Sequence, residues 1–170
     1  MNSPTLYLLL GLPGAGKTTA AKEISKLTGA VHLSSDNVRL DLFSSPDFSK
    51  KEHDILYKSL DKMCEQLLNA GQSVIYDANL NRYIHRQEKY VLAKKVGAIS
   101  RLVWIDIHRN TAKQRRIDEK RHHSLVPAHE TPQAMFERIA EIFEAPQNDE
   151  TYTILDGTKI TADYIKSKLL

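Results

Sequence analysis

The chain has 170 residues, 41% hydrophobic and 26% charged, close to ordinary soluble values, which excludes a disordered tail, a collagen-like fibre and a disulfide scaffold. This length suits one compact domain spanning 1–170, and a single cysteine, Cys64, allows no intrachain disulfide. The net charge of +3 is local: residues 109–123 (RNTAKQRRIDEKRHH) hold six Lys or Arg against two acids, net +4, leaving −1 for all other residues. A basic segment in a near-neutral chain suits either a polyanion or a solvated helix face.

The first apolar run, Leu6 to Leu10, is far shorter than the ~20 residues of a membrane span. No basic region followed by a long apolar stretch marks a secretory signal. The expectation is a cytoplasmic monomer with no membrane partner. In chain order, TLYLLL (5–10) reads as a buried strand ended by Gly11. Lys17 to Thr28 reads as a helix with Ala20, Ala21, Ile24 and Leu27 on one face, stopped by Gly29. AVHLS (30–34) is a second strand. Residues 51–70 form a long helix with Leu56, Leu60, Met63, Leu67 and Leu68 at helical spacing. QSVIYD (72–77) is a third strand, Asn81 to about Lys95 a helix, and RLVWIDI (101–107) a fourth strand in which Trp104 reads as core. A charged helix follows over Thr111–Arg121. Thr131-Pro132 predicts a helix start, a cap residue followed by proline at the first helical position. That helix is expected to bury Met135, Phe136, Ile139, Ile142 and Phe143. TYTIL (151–155) is a fifth strand and Thr161 to Leu169 a closing helix. Strands alternating with helices predict an α/β fold with a five-stranded parallel sheet covered on both faces. Ligands then bind at the carboxyl ends of the strands, where the irregular loops 43–50 and 122–130 also fall.

Residues 11–18, Gly11-Leu-Pro13-Gly14-Ala15-Gly16-Lys17-Thr18, match G-x-x-x-x-G-K-[ST] without a mismatch, between a predicted strand and a predicted helix. Glycines let successive N–H groups turn inward on phosphate oxygens, and the helix adds the positive end of its dipole. Residues 11–19, including Thr19, are therefore expected to bind the phosphates of ATP. Lys17 is to reach the β- and γ-phosphates and Thr18 to ligate Mg²⁺. Lys17 is expected to be solvent-exposed without ligand.

After strand two, Asp36 and Arg39 lie three apart and share a helix face. Asp36 suits a general base for an acceptor hydroxyl, and Arg39 an anchor for an acceptor phosphate or a shield for the moving phosphoryl group. A surface salt bridge is the alternative. After strand three, Asp77 occupies a Walker B-like position, where it would hold Mg²⁺ or orient Arg39. A helix cap is its alternative, and Asn79 or Asn81 is expected to cap the next helix. The basic segment then reads as an Arg-rich lid over about 109–130, with Arg115, Arg116 and Arg121 as candidates to touch phosphates.

GLPGAGKTT, SDNVR, YDANLN and an Arg-rich segment ending near VP together resemble the P-loop kinases that include phage polynucleotide 5′-kinase. Zeta-toxin-like, chloramphenicol-phosphotransferase-like and gluconate-kinase-like enzymes are neighbours. The resemblance covers roughly residues 5–130. It implies a three-layer P-loop kinase fold and transfer of the γ-phosphate of ATP to an acceptor hydroxyl, either a nucleic-acid 5′ end or a small alcohol. A nucleotide-dependent ATPase or binding module is the other class considered. The resemblance gives Lys17 and Thr18 to the ATP loop, Asp36 to the general base, Arg39 to the acceptor end, Asp77 to the acid of D-x-N-L-N with Asn79 beside it, and Arg121 to the lid. The family's D-D-Y-R stands as Asp36-Asn37-Val38-Arg39 here. The slightly longer interval before Val126-Pro127 leaves Arg115 and Arg116 as rival lid arginines. Cys64 reads as a buried structural thiol, and the aromatics look too scattered for a base-stacking platform.

Overall fold

The computed structural model describes residues 3–119 and 125–169. Its elements run β1 (Thr5–Leu10), α1 (Lys17–Thr28), β2 (Val31–Ser34), α2 (Ser35–Leu42), α3 (Lys50–Asn69), β3 (Val74–Asp77), α4 (Tyr83–Lys95), β4 (Ile99–Asp106), α5 (Arg109–Asp118), α6 (Pro132–Glu141), β5 (Tyr152–Asp156) and α7 (Ala162–Leu169). The five strands form one parallel sheet in the order β2-β3-β1-β4-β5. This is the expected α/β architecture.

Apolar residues run the length of β1 because both of its faces are covered. Leu6, Leu8 and Leu10 pack with Leu56, Leu60 and Cys64 of α3. Tyr7 and Leu9 pack on the other side with Ala20, Ala21 and Ile24 of α1 and Ile165 of α7. The buried stripe of α3 is Glu52, Leu56, Leu60, Cys64 and Leu68, spaced by four. Met63, expected in that stripe, is 41% exposed, because the stripe runs through its neighbour Cys64. Burial raises the Cys64 thiol to about 12, so it stays protonated and packs as a small apolar group.

Several boundaries shift for local reasons. Helix α3 starts at Lys50 because Ser49 caps it, its Oγ accepting from the Glu52 N–H at 3.2 Å. Neither Asn79 nor Asn81 caps α4. The Asn79 side chain instead accepts the Asn81 N–H at 3.2 Å, and Glu144 takes the Tyr83 N–H. The N-cap of α4 is Arg82. Thr131 and Pro132 open α6 as expected, and Phe136 and Ile139 are buried. Ile142, however, is 44% exposed, because the helix ends before it. Trp104 is half-buried in β4 and packs on Phe143 at 6.2 Å and Tyr152 at 6.0 Å. Among the described residues no helix is long and apolar enough to cross a membrane.

The topology locates a ligand site. From β1 the chain goes out to edge strand β2 and returns to β3 beside β1, then crosses to β4 on the other side. Connections leave β1 and β3 in opposite directions, which opens a crevice between their carboxyl ends.

Candidate active site

A cleft of about 800 Å³ occupies that crevice, lined by the loop after β1, the start of α2, the end of β3, α5 and α6. The P-loop is shaped by positive φ at Gly14 (+80°) and Gly16 (+105°). A Cβ on Gly14 would stand 2.2 Å from the carbonyl oxygen of Ala112, so this glycine lets α5 lie directly on the loop. Gly16 is the N-cap of α1 and offers no side-chain acceptor. The first amides of α1 therefore remain available to an anion. Pro13, Gly14, Gly16, Lys17, Thr18 and Thr19 line the cleft. Gly11 and Ala15 are buried behind it, Ala15 closing the turn with an N–H bond to Leu12 O at 3.0 Å.

Lys17 is half-buried and folded back, contrary to the expectation of an exposed side chain. Its Nζ donates to Gly11 O at 2.8 Å and Leu12 O at 3.1 Å, because an ammonium in this crevice must find oxygen partners. Burial lowers its pKa, Arg116 adds to the lowering, and the charges of Asp77 and Asp36 oppose it.

Thr18 Oγ1 donates to Asp77 Oδ2 at 2.9 Å, and the same oxygen meets His32 Nε2 at 2.9 Å. Burial alone would raise the Asp77 pKa. The His32 hydrogen bond, the Lys17 charge and the Thr18 hydroxyl prevail, and the carboxyl ends up below its usual value. Asp77 thus faces the P-loop threonine, and its helix-cap alternative falls. His32 carries no motif that would have announced it. It reaches Asp77 because Ser34 on β2 pairs with Asp77 on β3 and His32 lies two residues back on the same face.

Asp36 sits in the first turn of α2, and Ser34 caps that helix with its hydroxyl. Asp36 borders the cleft with Arg39 and Arg116, and its charge acts on Lys17, Arg39 and Arg116. Arg39 is 8% exposed and pairs with Glu52 of α3, so it is not a surface salt bridge. Glu52, 4% exposed, also accepts the backbone N–H groups of Asp47 (2.6 Å) and Phe48 (3.2 Å). Phe48 has φ +57°, a left-handed conformation costing a bulky residue on the order of 1–3 kcal/mol. Glu52 holds its N–H, and the Arg39 guanidinium lies 4.7 Å from its ring centroid. Glu52 escaped the sequence reading, although Ser49-Lys-Lys-Glu52 carries the S-x-x-E signature of a capping box. Its carboxylate is diverted from the helix end to the arginine.

Phe48, His53 and Tyr57 line the cleft together with Arg39, so aromatics scattered along the sequence converge here. His53 and Tyr57 have ring centroids 4.4 Å apart. Burial and the Arg39 charge lower the His53 pKa. Burial pushes the Tyr57 phenol up to about 12, so it stays protonated at neutral pH while accepting the Asn79 N–H at 3.2 Å. Asn79 reaches the cleft from this loop. The loop is anchored from below by Arg86, whose five N–H groups go to both Glu150 carboxylate oxygens and to Leu80 O, Glu144 O and Ala145 O.

Of the lid arginines, Arg115 donates to Gly157 O at 3.0 Å, and Arg116, 7% exposed, lies 3.8 Å from Met135 Sδ. Both line the cleft, as do Leu125, Pro127 and His129 from the other side of the basic segment. Arg121 lies outside the described residues.

A profile of the AAA domain family (AAA_33) matches residues 6–164. The chain belongs to this family. Its fold is that of the P-loop kinases. It superposes on the Mycobacterium tuberculosis APS kinase CysC in complex with AMPPNP and APS with a TM-score of 0.72 at 18% identity, over 98% of this chain and 96% of that one. A gluconokinase from Sinorhizobium meliloti 1021 gives 0.66 at 12% identity over 98% and 90%. A chain of the Pnkp1/Rnl/Hen1 RNA repair complex gives 0.67 at 21% identity, over 84% of this AAA-family chain and 45% of that one.

Proposed function

We propose that the protein is an ATP-dependent phosphotransferase that moves the γ-phosphoryl group of ATP to an acceptor hydroxyl. One observation carries this reading. The P-loop with Lys17 and Thr18, Asp77, and the pair Asp36 and Arg39 all border a single cleft. A nucleotide-hydrolysing switch has no need of a further carboxylate and arginine in the cleft of the P-loop lysine.

The phosphates lie in the loop 11–19, where α1's uncapped amides meet them and Lys17 leaves its carbonyl partners to bind them. Thr18 Oγ1 and Asp77 Oδ2, hard oxygens 2.9 Å apart, suit Mg²⁺, which needs only one or two protein ligands when phosphates complete its shell. They would hold that ion, which supplies charge neutralisation on the β- and γ-oxygens. Asp36 takes the acceptor proton as the hydroxyl oxygen bonds to the γ-phosphorus. The bond from the γ-phosphorus to the β–γ bridging oxygen breaks, and ADP leaves with that electron pair. Arg115 and Arg116, which line the cleft, neutralise the oxygens.

The acceptor end divides two ways. The matches at SDNVR and DANLN support a nucleic-acid 5′-hydroxyl. The pairing of Arg39 with Glu52 favours a small alcohol, since that arginine already has its anion. Transfer of labelled γ-phosphate to a panel of 5′-hydroxyl DNA and RNA, sugars and antibiotic alcohols tests the reading. ATP turnover that no acceptor stimulates would refute phosphotransfer.

A further inference from the structure

Arg39 of the cleft lining is paired with the Glu52 carboxylate. That carboxylate is buried, charged and outside the chemistry assigned above. One oxygen holds Arg39, and the other holds the N–H groups of Asp47 and Phe48. A helix-capping role would need neither contact. At the rim Arg138 has its own bidentate carboxylate, Glu130, at 2.8 Å from both Nε and Nη2. Phe48 and Tyr57 give the cleft beside Arg39 an apolar face.

We propose that Glu52 determines acceptor specificity: it neutralises Arg39 and thereby reserves the acceptor lobe for an uncharged alcohol with an apolar face. The inference rests on the kinase reading only in naming this lobe the acceptor side. An acceptor bearing a phosphate must displace Glu52 from Arg39 or share with it a guanidinium whose charge is already neutralised. Displacement leaves a buried anion without its cation, and sharing brings two anions to one cation. Displacement also disturbs the carboxylate whose other oxygen holds the N–H groups of Asp47 and Phe48. An uncharged alcohol meets none of these costs. A nucleic-acid end, with phosphates beside its terminal hydroxyl, meets all of them.

Thymidine and thymidine 3′-monophosphate form a matched pair of probes with the same 5′-hydroxyl and differ by one phosphate. Their affinities are measured by calorimetry with AMPPNP and Mg²⁺ present, and their phosphorylation is measured with ATP. The wild-type protein is expected to bind the monophosphate no more tightly than thymidine. Glu52→Gln, which keeps an oxygen for Asp47 and Phe48 but removes the charge, is expected to bind the monophosphate about tenfold tighter than wild type, with thymidine little changed. Glu52→Asp keeps the charge and is expected to retain the wild-type order. A merely structural Glu52 would make both variants weaken both probes alike, which overturns the proposal. So does a wild-type protein that prefers the monophosphate by about tenfold, a readout that stands even if Glu52→Gln does not fold. Gained anion affinity in Glu52→Gln supports the specificity role whether or not either probe is phosphorylated, so the proposal and the kinase reading fail separately.

Discussion

The two halves of the cleft treat their positive charges in opposite ways. On the nucleotide side Lys17 and Arg115 donate to carbonyl oxygens, and Arg116 rests against a thioether. On the side of α2 and α3, Arg39 holds the buried carboxylate of Glu52. A cation bonded to neutral oxygens exchanges those partners for phosphate at small cost, because the incoming charge-assisted bonds are stronger. A cation already in a buried ion pair resists exchange, because its partner would be stranded. The first half is built to receive a polyanion. The second is built to hold its shape.

The comparison breaks most visibly at Asp36, which stands between the halves. Asp36→Asn is expected to leave ATP affinity near wild type and to lower turnover by about 10²–10⁴-fold, the usual contribution of a placed general base. Wild-type turnover would make Asp36 a helix-start acid. Loss of ATP binding would make it part of the nucleotide half.

Lys17→Ala comes next. Losing one preorganised donor to the developing charge is expected to cost about 10²–10³ in turnover, and calorimetry should show weakened ATP binding. Thermal stability should hold, since the side chain leaves only carbonyl partners and its charge is disfavoured where it lies. Unchanged ATP affinity would remove the P-loop assignment.

Stability sharpens the contrast. Arg39→Met strands Glu52 and is expected to cost about 3–5 kcal/mol in urea unfolding. Arg116→Met deletes a guanidinium whose hydrogen bond goes to sulfur, and is expected to cost much less. Equal losses would erase the distinction between the halves.

The smallest effect is a pH dependence at Asp77. Its folded pKa lies below the ordinary carboxylate value, so the ionised group stabilises the fold. That contribution is complete above the ordinary carboxylate range and disappears as pH falls through the depressed value. Asp77→Asn should therefore lose stability at neutral pH, and the gap to wild type should close on acidification. A gap that widens in acid would mean that the shift has the opposite sign.

The P-loop and the Asp36–Arg39 pair, both legible in the sequence, share one property: their geometry is local. The P-loop is eight consecutive residues whose glycines set the turn, and Asp36 with Arg39 is one helical turn. Leu6 to Leu10 alternates between two cores because strand side chains alternate. Strands, helices and the nucleotide half were legible for that reason. The pairings around them were not, because the partners come from different elements. Arg39 meets Glu52 across the connection between α2 and α3, His32 meets Asp77 from 45 residues away, and Arg86 meets Glu150 from 64 residues away. No periodicity encodes such meetings. They arise when the parallel sheet brings β2 against β3 and α3 packs back on it, and buried charge then admits only arrangements in which each cation has its acceptor. The chain thus specified by itself the P-loop and the Asp36–Arg39 turn, while the packing of α3 against the start of α2 decided that Arg39 meets Glu52.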